Sequence, residues 1–184
     1  MERITRETKV VIKECDEGSV KSDVPFLTHM IDTFIRHSGL KVCIEGKDFL
    51  GYDDHHLVED IAITLGRYLN KLFRDRLRNR FAWSLIPMDE ALALCSMDVS
   101  GRGGFYGDLS FSREEIGGLA LENVSHFFDT LAKEARITLH LRLLAGSNDH
   151  HKVEALFKAF ARCVATVLGR DVDGSVTTKG ILEL

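Results

Sequence analysis

The stretches GYDDHHLVEDIA (residues 51–62) and GSNDHHKVEALF (residues 146–157) contain the same phrase, D-H-H-x-x-E. A second pair of matching stretches, HMIDTFI (29–35) and HFFDTLA (126–132), precedes them at similar distances. Two elements that recur in the same order at nearly the same offset indicate an internal duplication. The sequence therefore predicts two similar halves, residues 1–85 and 86–184, within one compact unit.

Each half shows strand-like alternation, then two helical stretches separated by a further strand. In the first half, Pro25 begins a helix and Gly39 follows its end. Asp53 or Asp54 is expected to cap the next helix. We predict the order β-β-α-β-α twice. The fold class is α+β, a two-layer sandwich in which each half has a mostly antiparallel sheet with helices on one face.

The composition excludes several classes of protein. The 184 residues are 45% hydrophobic, which is enough for a sizeable core. A net charge of −4 argues against binding to nucleic acid or to a membrane surface. No apolar run is long enough for a membrane span, and the N-terminus resembles neither a signal nor a transit peptide. We therefore expect a cytoplasmic protein in which all four cysteines (Cys15, Cys43, Cys95 and Cys163) are reduced core residues.

The repeated histidines indicate metal binding. On a helix, His55 and Glu59 are four residues apart and share a face, and His150 and Glu154 repeat this spacing. Imidazole and carboxylate together form a ligand set for Zn, Mn, Fe, Co or Ni. Adjacent histidines point about 100° apart around a helix, so we expect the two members of each pair to serve different ions.

The repeated elements supply enough ligands for two ions with four ligands each. The predicted metal ligands are His29, His55, His56, Glu59, His126, His150, His151 and Glu154. A single histidine pair at a helix start is more often a solvated or capping pair, but two copies in the same setting make that alternative weak. Of the other histidines, His37 at a helix end and His140 inside a strand are expected to be structural.

With these motifs, the chain resembles the imidazoleglycerol-phosphate dehydratase family over essentially its whole length. The resemblance rests on both D-H-H-x-x-E copies and on RETKVV, PFLTHMID, NRF, MDEAL, DVSGR, HFFDTL, LHLRLLAG and TTKGIL. It implies the duplicated sandwich fold and a homo-oligomeric shell of 24 subunits with active sites at subunit contacts. It also implies two Mn²⁺ ions in each site, held by the eight ligands named above.

The activity implied by the resemblance is that of a lyase in histidine biosynthesis. The enzyme would dehydrate imidazole glycerol phosphate to imidazole acetol phosphate through a metal-bound imidazolate and a diazafulvene. Glu7 matches a substrate-contacting glutamate of the family and is the acid–base candidate; Glu59 and Glu154 are metal ligands with a secondary catalytic role. The positions that match phosphate-binding residues are Arg80, Arg102, Lys158, Thr177 and Lys179. Lys158 could instead form a helix salt bridge with Glu154.

Three departures from the family pattern keep alternatives open. The family usually has Asp where this chain has Thr28, and Gln where it has Thr33. The tail reads Thr-Thr-Lys-Gly at 177–180 instead of Ser-Ser-Lys-Gly, which keeps the hydroxyl. The competing hypotheses are a dimetal hydrolase acting on a phosphorylated substrate, a divergent dehydratase acting on another phosphorylated azole, and a non-enzymatic metal store or shell protein.

Overall fold

A computed structural model describes residues 1–170 of the chain. The elements of the first half are β1 (Glu2–Ile4), β2 (Thr8–Glu14), β3 (Ser19–Ser22), α1 (Pro25–Ser38), β4 (Val42–Asp48) and α2 (His55–Arg76). The elements of the second half are β5 (Phe81–Met88), β6 (Ala91–Asp98), β7 (Gly104–Asp108), β8 (Glu115–Ile116), β9 (Leu119–Ala120), α3 (Glu122–Ala135), β10 (Thr138–Ala145) and α4 (Asp149–Val167).

Two four-stranded sheets with the same strand arrangement form the frame of the molecule. The strand orders are β1-β2-β4-β3 and β5-β6-β10-β7. In each sheet the last pair is parallel and the other two pairs are antiparallel. The predicted α+β fold class with mostly antiparallel sheets is therefore confirmed.

Both halves contain more strands than the predicted β-β-α-β-α order. Three strands precede α1 in the first half, and five precede α3 in the second, where β8 and β9 form a separate two-stranded sheet. β1 and β3 have only 3 and 4 residues, which is too short for a clear alternation of buried and exposed positions. β5 contains Pro87, which a strand tolerates at a sheet edge, and β5 is an edge strand. The predicted boundary between residues 85 and 86 lies inside β5, whereas the chain leaves the first sheet for the second through residues 77–80.

The helices of the two halves pack against each other, α2 on α3 and α1 on α4. The rings of Phe34 and Phe160 stack 5.3 Å apart between α1 and α4. At Gly66 on α2, an added Cβ would lie 2.7 Å from Glu134 Cβ on α3, so these two helices approach closely because residue 66 has no side chain. Within residues 1–170, no helix has both the length and the apolar character that crossing a bilayer requires.

The helix starts hold the repeated motifs in place. α1 begins at Pro25 and ends before Gly39, which has a φ of 65°, as predicted. At the start of α2, Asp53 accepts a hydrogen bond from the His55 backbone at 2.9 Å, while the Asp54 side chain turns towards α3. At the start of α4, the Asn148 side chain accepts a hydrogen bond from the backbone of His150.

The prediction that all four cysteines are reduced core residues is wrong for two of them. Cys95 and Cys163 are free and buried, as expected. Cys15 and Cys43 are only partly buried and form a disulfide, with their Cα atoms 5.9 Å apart. Cys43 lies opposite Lys13 in the β2–β4 ladder, so Cys15, two residues beyond Lys13, is its diagonal neighbour on the same face.

Candidate metal centre

One cluster of potential metal ligands lies between α1 and α4. His29 comes from α1, and His150 and Glu154 come from one face of α4. Nε2 of His150 lies 3.3 Å from Oε2 of Glu154, and Nε2 of His29 lies 3.7 Å from the same oxygen. The three ligand atoms are all within 4.8 Å of one another. Two imidazole nitrogens and one carboxylate oxygen are therefore close enough together to bind the same metal ion.

A second cluster repeats this arrangement between α2 and α3. His55 and Glu59 share a face of α2, and His126 comes from α3. Nε2 of His126 lies 3.5 Å from Oε1 of Glu59. That nitrogen is buried and has no hydrogen-bond partner among the described residues. A buried ring nitrogen without a partner is costly unless something binds it, so this atom fits a ligand to a divalent metal ion.

Each cluster combines residues from both halves of the duplicated chain. His29 of the first half joins the D-H-H-x-x-E copy of the second half, and His126 of the second half joins the copy of the first. The exchange follows from the packing of α1 on α4 and of α2 on α3. The six residues provide two sets of two histidines and one glutamate. Such a set with free coordination positions suits transition metals that bind nitrogen and oxygen ligands.

The charge state of Glu154 favours a cation. Burial alone would raise the pKa of this carboxyl group, but hydrogen bonds from His29 and Lys158 outweigh burial and lower its pKa to about 2. Nζ of Lys158 lies 2.7 Å from Oε1 of Glu154, and Nζ also contacts the sulfur of Met88 at 3.3 Å. Glu154 is therefore a carboxylate at neutral pH, with Oε2 directed at the two histidines.

The second histidine of each pair lies outside the two clusters. Nδ1 of His56 lies 2.8 Å from the Glu7 carboxylate, and Nδ1 of His151 lies 2.7 Å from Glu90. The two members of each pair are thus separated, as the helix geometry predicted. The assignment of His56 and His151 as metal ligands stays a prediction.

A polar network orients His55 within the second cluster. Asn123 on α3 donates from Nδ2 to the Asp54 carboxylate at 3.0 Å, and its Oδ1 lies 3.1 Å from Nδ1 of His55. Because the Asn123 oxygen can only accept, Nδ1 of His55 carries the proton and donates. Asp54 also accepts from the backbone N–H of Ala120 at 2.9 Å. Nε2 of His55 is therefore the nitrogen left to bind a metal.

Among residues 1–170, no matching amide contacts the first cluster. Phe26, three residues before His29, occupies the position on α1 that Asn123 occupies on α3, three residues before His126. The Phe26 ring lies 5.0 Å from the His150 ring. The two clusters are similar in their ligands but differ in the groups that hold the first histidine of each pair.

Two of the predicted phosphate-binding residues meet at Asp98. Arg80 donates from Nε to Asp98 at 2.8 Å, and Nη2 of Arg102 lies 3.9 Å from the same carboxylate. The hydrogen bond from Arg80 is the main reason that the pKa of Asp98 is lowered. Both arginine side chains are mostly exposed and leave donors free for an anion.

The other predicted phosphate residues lie elsewhere. Lys158 forms the salt bridge with Glu154 that the sequence offered as its alternative role. Thr177 and Lys179 lie outside the described residues. His37 and His140, which were expected to be structural, belong to neither cluster. The His140 ring stacks on Tyr106 at 4.8 Å.

The two substituted threonines on α1 have different surroundings. Thr28 Oγ1 contacts Ser22 Oγ at 2.7 Å, near the helix start. Thr33 is fully buried and its hydroxyl has no hydrogen-bond partner within residues 1–170. A substrate cannot reach Thr33 in this conformation of the single chain.

Asn123 and Glu90 were not among the predicted site residues. The signal for Asn123 was its position three residues before His126, on the same helical face. The signal for Glu90 was its place directly before β6, which matches the place of Glu7 directly before β2. Only an alignment of the halves by their strands would have paired Glu90 with Glu7.

Comparison with known proteins identifies the family of this chain. The family model for imidazoleglycerol-phosphate dehydratase matches residues 22–164. The chain belongs to the imidazoleglycerol-phosphate dehydratase family. A curated member from Metallosphaera sedula is 46% identical over 98% of this chain and 96% of its own length. Another, from Chlorobium phaeobacteroides, is 44% identical over 98% of this chain and 92% of its own length.

Solved structures of the dehydratase family share the fold. A Pyrococcus furiosus enzyme, crystallised in complex with (S)-C348, is 34% identical with a TM-score of 0.79, covering 99% of this chain and all of the other. A Staphylococcus aureus enzyme is 36% identical with a TM-score of 0.80, covering 91% and 96%. The predicted family and enzyme class, a carbon–oxygen hydro-lyase, are confirmed.

Proposed function

We propose that this chain dehydrates imidazole glycerol phosphate to imidazole acetol phosphate in the biosynthesis of L-histidine. The observation that carries the proposal is the pair of His-His-Glu clusters, each assembled from both halves of a chain that belongs to the dehydratase family. A substrate with an imidazole ring has two ring nitrogens, and two metal sites of similar composition suit such a ligand.

The proposed cofactor is two Mn²⁺ ions in each active site. The ligands His29, His150 and Glu154 would hold one ion, and His55, Glu59 and His126 would hold the other. His56 and His151 belong to neither cluster, and their Nδ1 atoms face Glu7 and Glu90, so we assign their Nε2 atoms to ions bound by neighbouring subunits. When bound, the two ions supply Lewis-acid stabilisation of negative charge on the substrate ring, which suits a route through an imidazolate and a diazafulvene.

Glu7 is the proposed acid–base residue. Oε2 of its carboxylate lies 2.8 Å from Nδ1 of His56, and Oε1 makes no hydrogen bond among the described residues. Glu7 precedes β2 in a partly exposed turn, where a substrate can reach it. In this role Glu7 takes the proton from carbon 2 of the glycerol chain and holds it for return or release. Glu59 and Glu154 act mainly as metal ligands.

The phosphate group is assigned to Arg80, Arg102, Lys158, Thr177 and Lys179. Arg80 and Arg102 already lie side by side at Asp98, and arginine matches phosphate oxygens with parallel N–H donors. Lys158 would have to share its charge between Glu154 and the substrate. The phosphate would fix the glycerol chain relative to the metal-bound ring.

The test is an assay with imidazole glycerol phosphate. The purified protein is assayed first after its metal has been removed and again after it has been reloaded with Mn²⁺. We expect imidazole acetol phosphate only after reloading, and inhibition by a triazole that mimics the imidazole ring. Binding of about two Mn²⁺ ions per chain without product would overturn the proposed substrate and favour a divergent phosphorylated azole. Hydrolysis of the phosphate instead of dehydration would favour the dimetal hydrolase.

Assembly into a homo-oligomer, with 24 subunits and sites at subunit contacts, is part of the proposal. Its support is the outer face of the second sheet, where a row of paired residues crosses the strands: Trp83, Ser96, His140 and Tyr106. The Trp83 side chain is 74% exposed, and Phe81, Leu85 and Tyr106 are also large apolar groups in contact with solvent. Phe81, Trp83 and Leu85 alternate along β5 and share one face, and exposed apolar side chains grouped in this way mark an interaction surface.

The assembly test compares the wild-type chain with Trp83→Lys by light scattering. A charge at the centre of an apolar contact should reduce the mass of the particle, because it would be buried without a partner. A matched control is Lys71→Glu, a charge change at an exposed position of α2. An unchanged particle mass for Trp83→Lys would show that this face does not form a subunit contact.

A cytoplasmic location is also proposed, because the proposed reaction belongs to the synthesis of an amino acid. The Cys15–Cys43 disulfide is unusual for a reducing compartment, although intracellular proteins of hyperthermophiles often contain disulfides. Counting free thiols in protein purified under native conditions, with alkylation before unfolding, measures whether the disulfide is present.

A further inference from the structure

The two hairpin turns that precede β2 and β6 each direct a glutamate at the second histidine of a pair. Glu7 lies directly before β2 and contacts His56; Glu90 lies directly before β6 and contacts His151. The distances, 2.8 and 2.7 Å, are nearly equal, and both end at Nδ1 of the histidine. The duplication has therefore produced two copies of the same carboxylate–histidine pair.

The two glutamates differ in what else they bind. Glu90 accepts hydrogen bonds at Oε1 from the backbone N–H groups of Ser147 and Asn148, at 3.1 and 2.7 Å, and from the Ser147 hydroxyl at 3.3 Å. Its other oxygen, Oε2, faces His151. Both oxygens of Glu90 are thus occupied as acceptors, whereas the only side-chain contact of Glu7 among the described residues is His56.

The direction of the hydrogen bond determines which nitrogen of His151 can bind a metal. An ionised carboxylate only accepts, so Nδ1 of His151 carries a proton, and in the neutral ring Nε2 is the nitrogen with a free lone pair. A carboxylate behind a histidine fixes its tautomer and ring orientation in metal sites. Nε2 lies 3.5 Å from the carboxylate of Asp89, whose side chain is largely exposed and free to turn away.

We propose that Glu90 is a positioning residue that anchors His151 to the loop before α4 and presents Nε2 of His151 for metal binding. This inference rests on the proposed metal-dependent function. Glu90 itself takes no part in proton transfer, because its oxygens are already held by the backbone of Ser147 and Asn148 and by His151. The duplicated turns thus have divided roles, with Glu7 left free to reach substrate.

Glu90→Gln is the decisive variant, because glutamine keeps one oxygen and changes the other to an NH₂ group. The oxygen can still accept from Ser147 and Asn148, so the loop before α4 stays in place. The NH₂ group then faces His151 and can only donate, which favours the tautomer with the proton on Nε2 and blocks that nitrogen as a ligand. Glu90→Ala removes both functions, and Ser147→Ala removes one donor to Glu90 without touching His151.

The measurement is Mn²⁺ affinity of the full chain by electron paramagnetic resonance, together with the unfolding temperature of the metal-free protein. For Glu90→Gln we expect affinity to fall about 10- to 100-fold, with the unfolding temperature of the metal-free protein unchanged. Ser147→Ala should bind Mn²⁺ like the wild type. Glu90→Ala should show both a lower Mn²⁺ affinity and a lower unfolding temperature.

Two results would overturn the inference. One is wild-type Mn²⁺ affinity in Glu90→Gln. The other is a fall in unfolding temperature for Glu90→Gln as large as for Glu90→Ala, since that would make the role of Glu90 purely structural. Failure of the proposed function looks different, because the wild-type protein would then bind no Mn²⁺ or give no product with imidazole glycerol phosphate.

Discussion

His29 on α1 and Glu154 on α4 lie 3.7 Å apart although they come from opposite halves of the duplicated chain. The contact between His126 and Glu59, at 3.5 Å, crosses the halves in the other direction. Neither half contains a complete cluster by itself. Formation of the candidate metal sites therefore requires that the helices of both halves are packed together, so metal binding and folding are coupled.

Removing one histidine from one cluster should remove one metal ion. His29→Ala leaves His150 and Glu154 as two ligands, and His126→Ala does the same to the second cluster. We expect each variant to retain about half of the wild-type Mn²⁺ and the double variant to retain almost none, measured by elemental analysis after dialysis. His37→Ala, on the same helix as His29 but outside both clusters, is the control. Full metal content in the double variant would show that the clusters are not the sites.

Asn123 should affect only the second cluster. Asn123→Leu removes the acceptor of His55 and one donor to Asp54, so the His55 ring loses its fixed orientation. We expect Mn²⁺ affinity at one of the two sites to fall about 10- to 100-fold, measured by isothermal titration of metal-free protein. Phe26→Leu, at the matching position on α1, should leave both affinities near the wild-type values. Two unchanged sites in Asn123→Leu would exclude this role.

The sequence was sufficient to predict the fold class and most residues of the two candidate clusters, because both depend on local patterns that occur twice. Alternation and helical spacing identified β2, β4, α1, α2 and α4, and the motif copies supplied His55, Glu59, His150 and Glu154. The short strands β1 and β3 carried too few residues for a periodic signal.

What could not be predicted depends on contacts between elements that are distant in the chain. The exchange of His29 and His126 between halves follows from helix packing, which no local pattern encodes. The same is true of the contact between Glu90 and His151, and of Cys15 beside Cys43, which depends on strand register. Disulfide pairing requires close Cα atoms and suitable Cβ directions, and only the folded sheet provides both.

Glu7 should be needed for turnover more than for substrate binding. Glu7→Gln keeps the size of the side chain and removes its ability to take a proton. Loss of a general acid–base group costs about 10²- to 10⁴-fold in rate, so we expect kcat to fall by that factor while KM changes little. The assay should use saturating Mn²⁺, because the contact with His56 makes weaker metal binding possible as well. A raised KM with unchanged kcat would instead assign Glu7 to substrate binding.

His37 should make the stability of the metal-free protein depend on pH. Burial, reinforced by the charges of Lys158 and Arg162, lowers the pKa of His37 from 6.5 to about 4. The unfolded chain therefore binds a proton at this site below pH 6.5, whereas the folded chain does so only below about pH 4. The contribution of neutral His37 to the free energy of unfolding is complete above pH 6.5 and is lost as the pH falls towards 4.

Replacing His37 should therefore flatten the pH dependence of stability between pH 4 and pH 6.5. After allowance for solvent screening, the loss due to His37 across this window is about 1–2 kcal/mol. Urea unfolding of metal-free wild type and His37→Asn at pH 4.5, 5.5 and 7 measures the difference, with His140→Asn as the control because that ring lies on the exposed sheet face. The wild type should lose more stability than His37→Asn on acidification. Parallel losses in the two proteins would mean that His37 takes up its proton equally well in the folded and unfolded states.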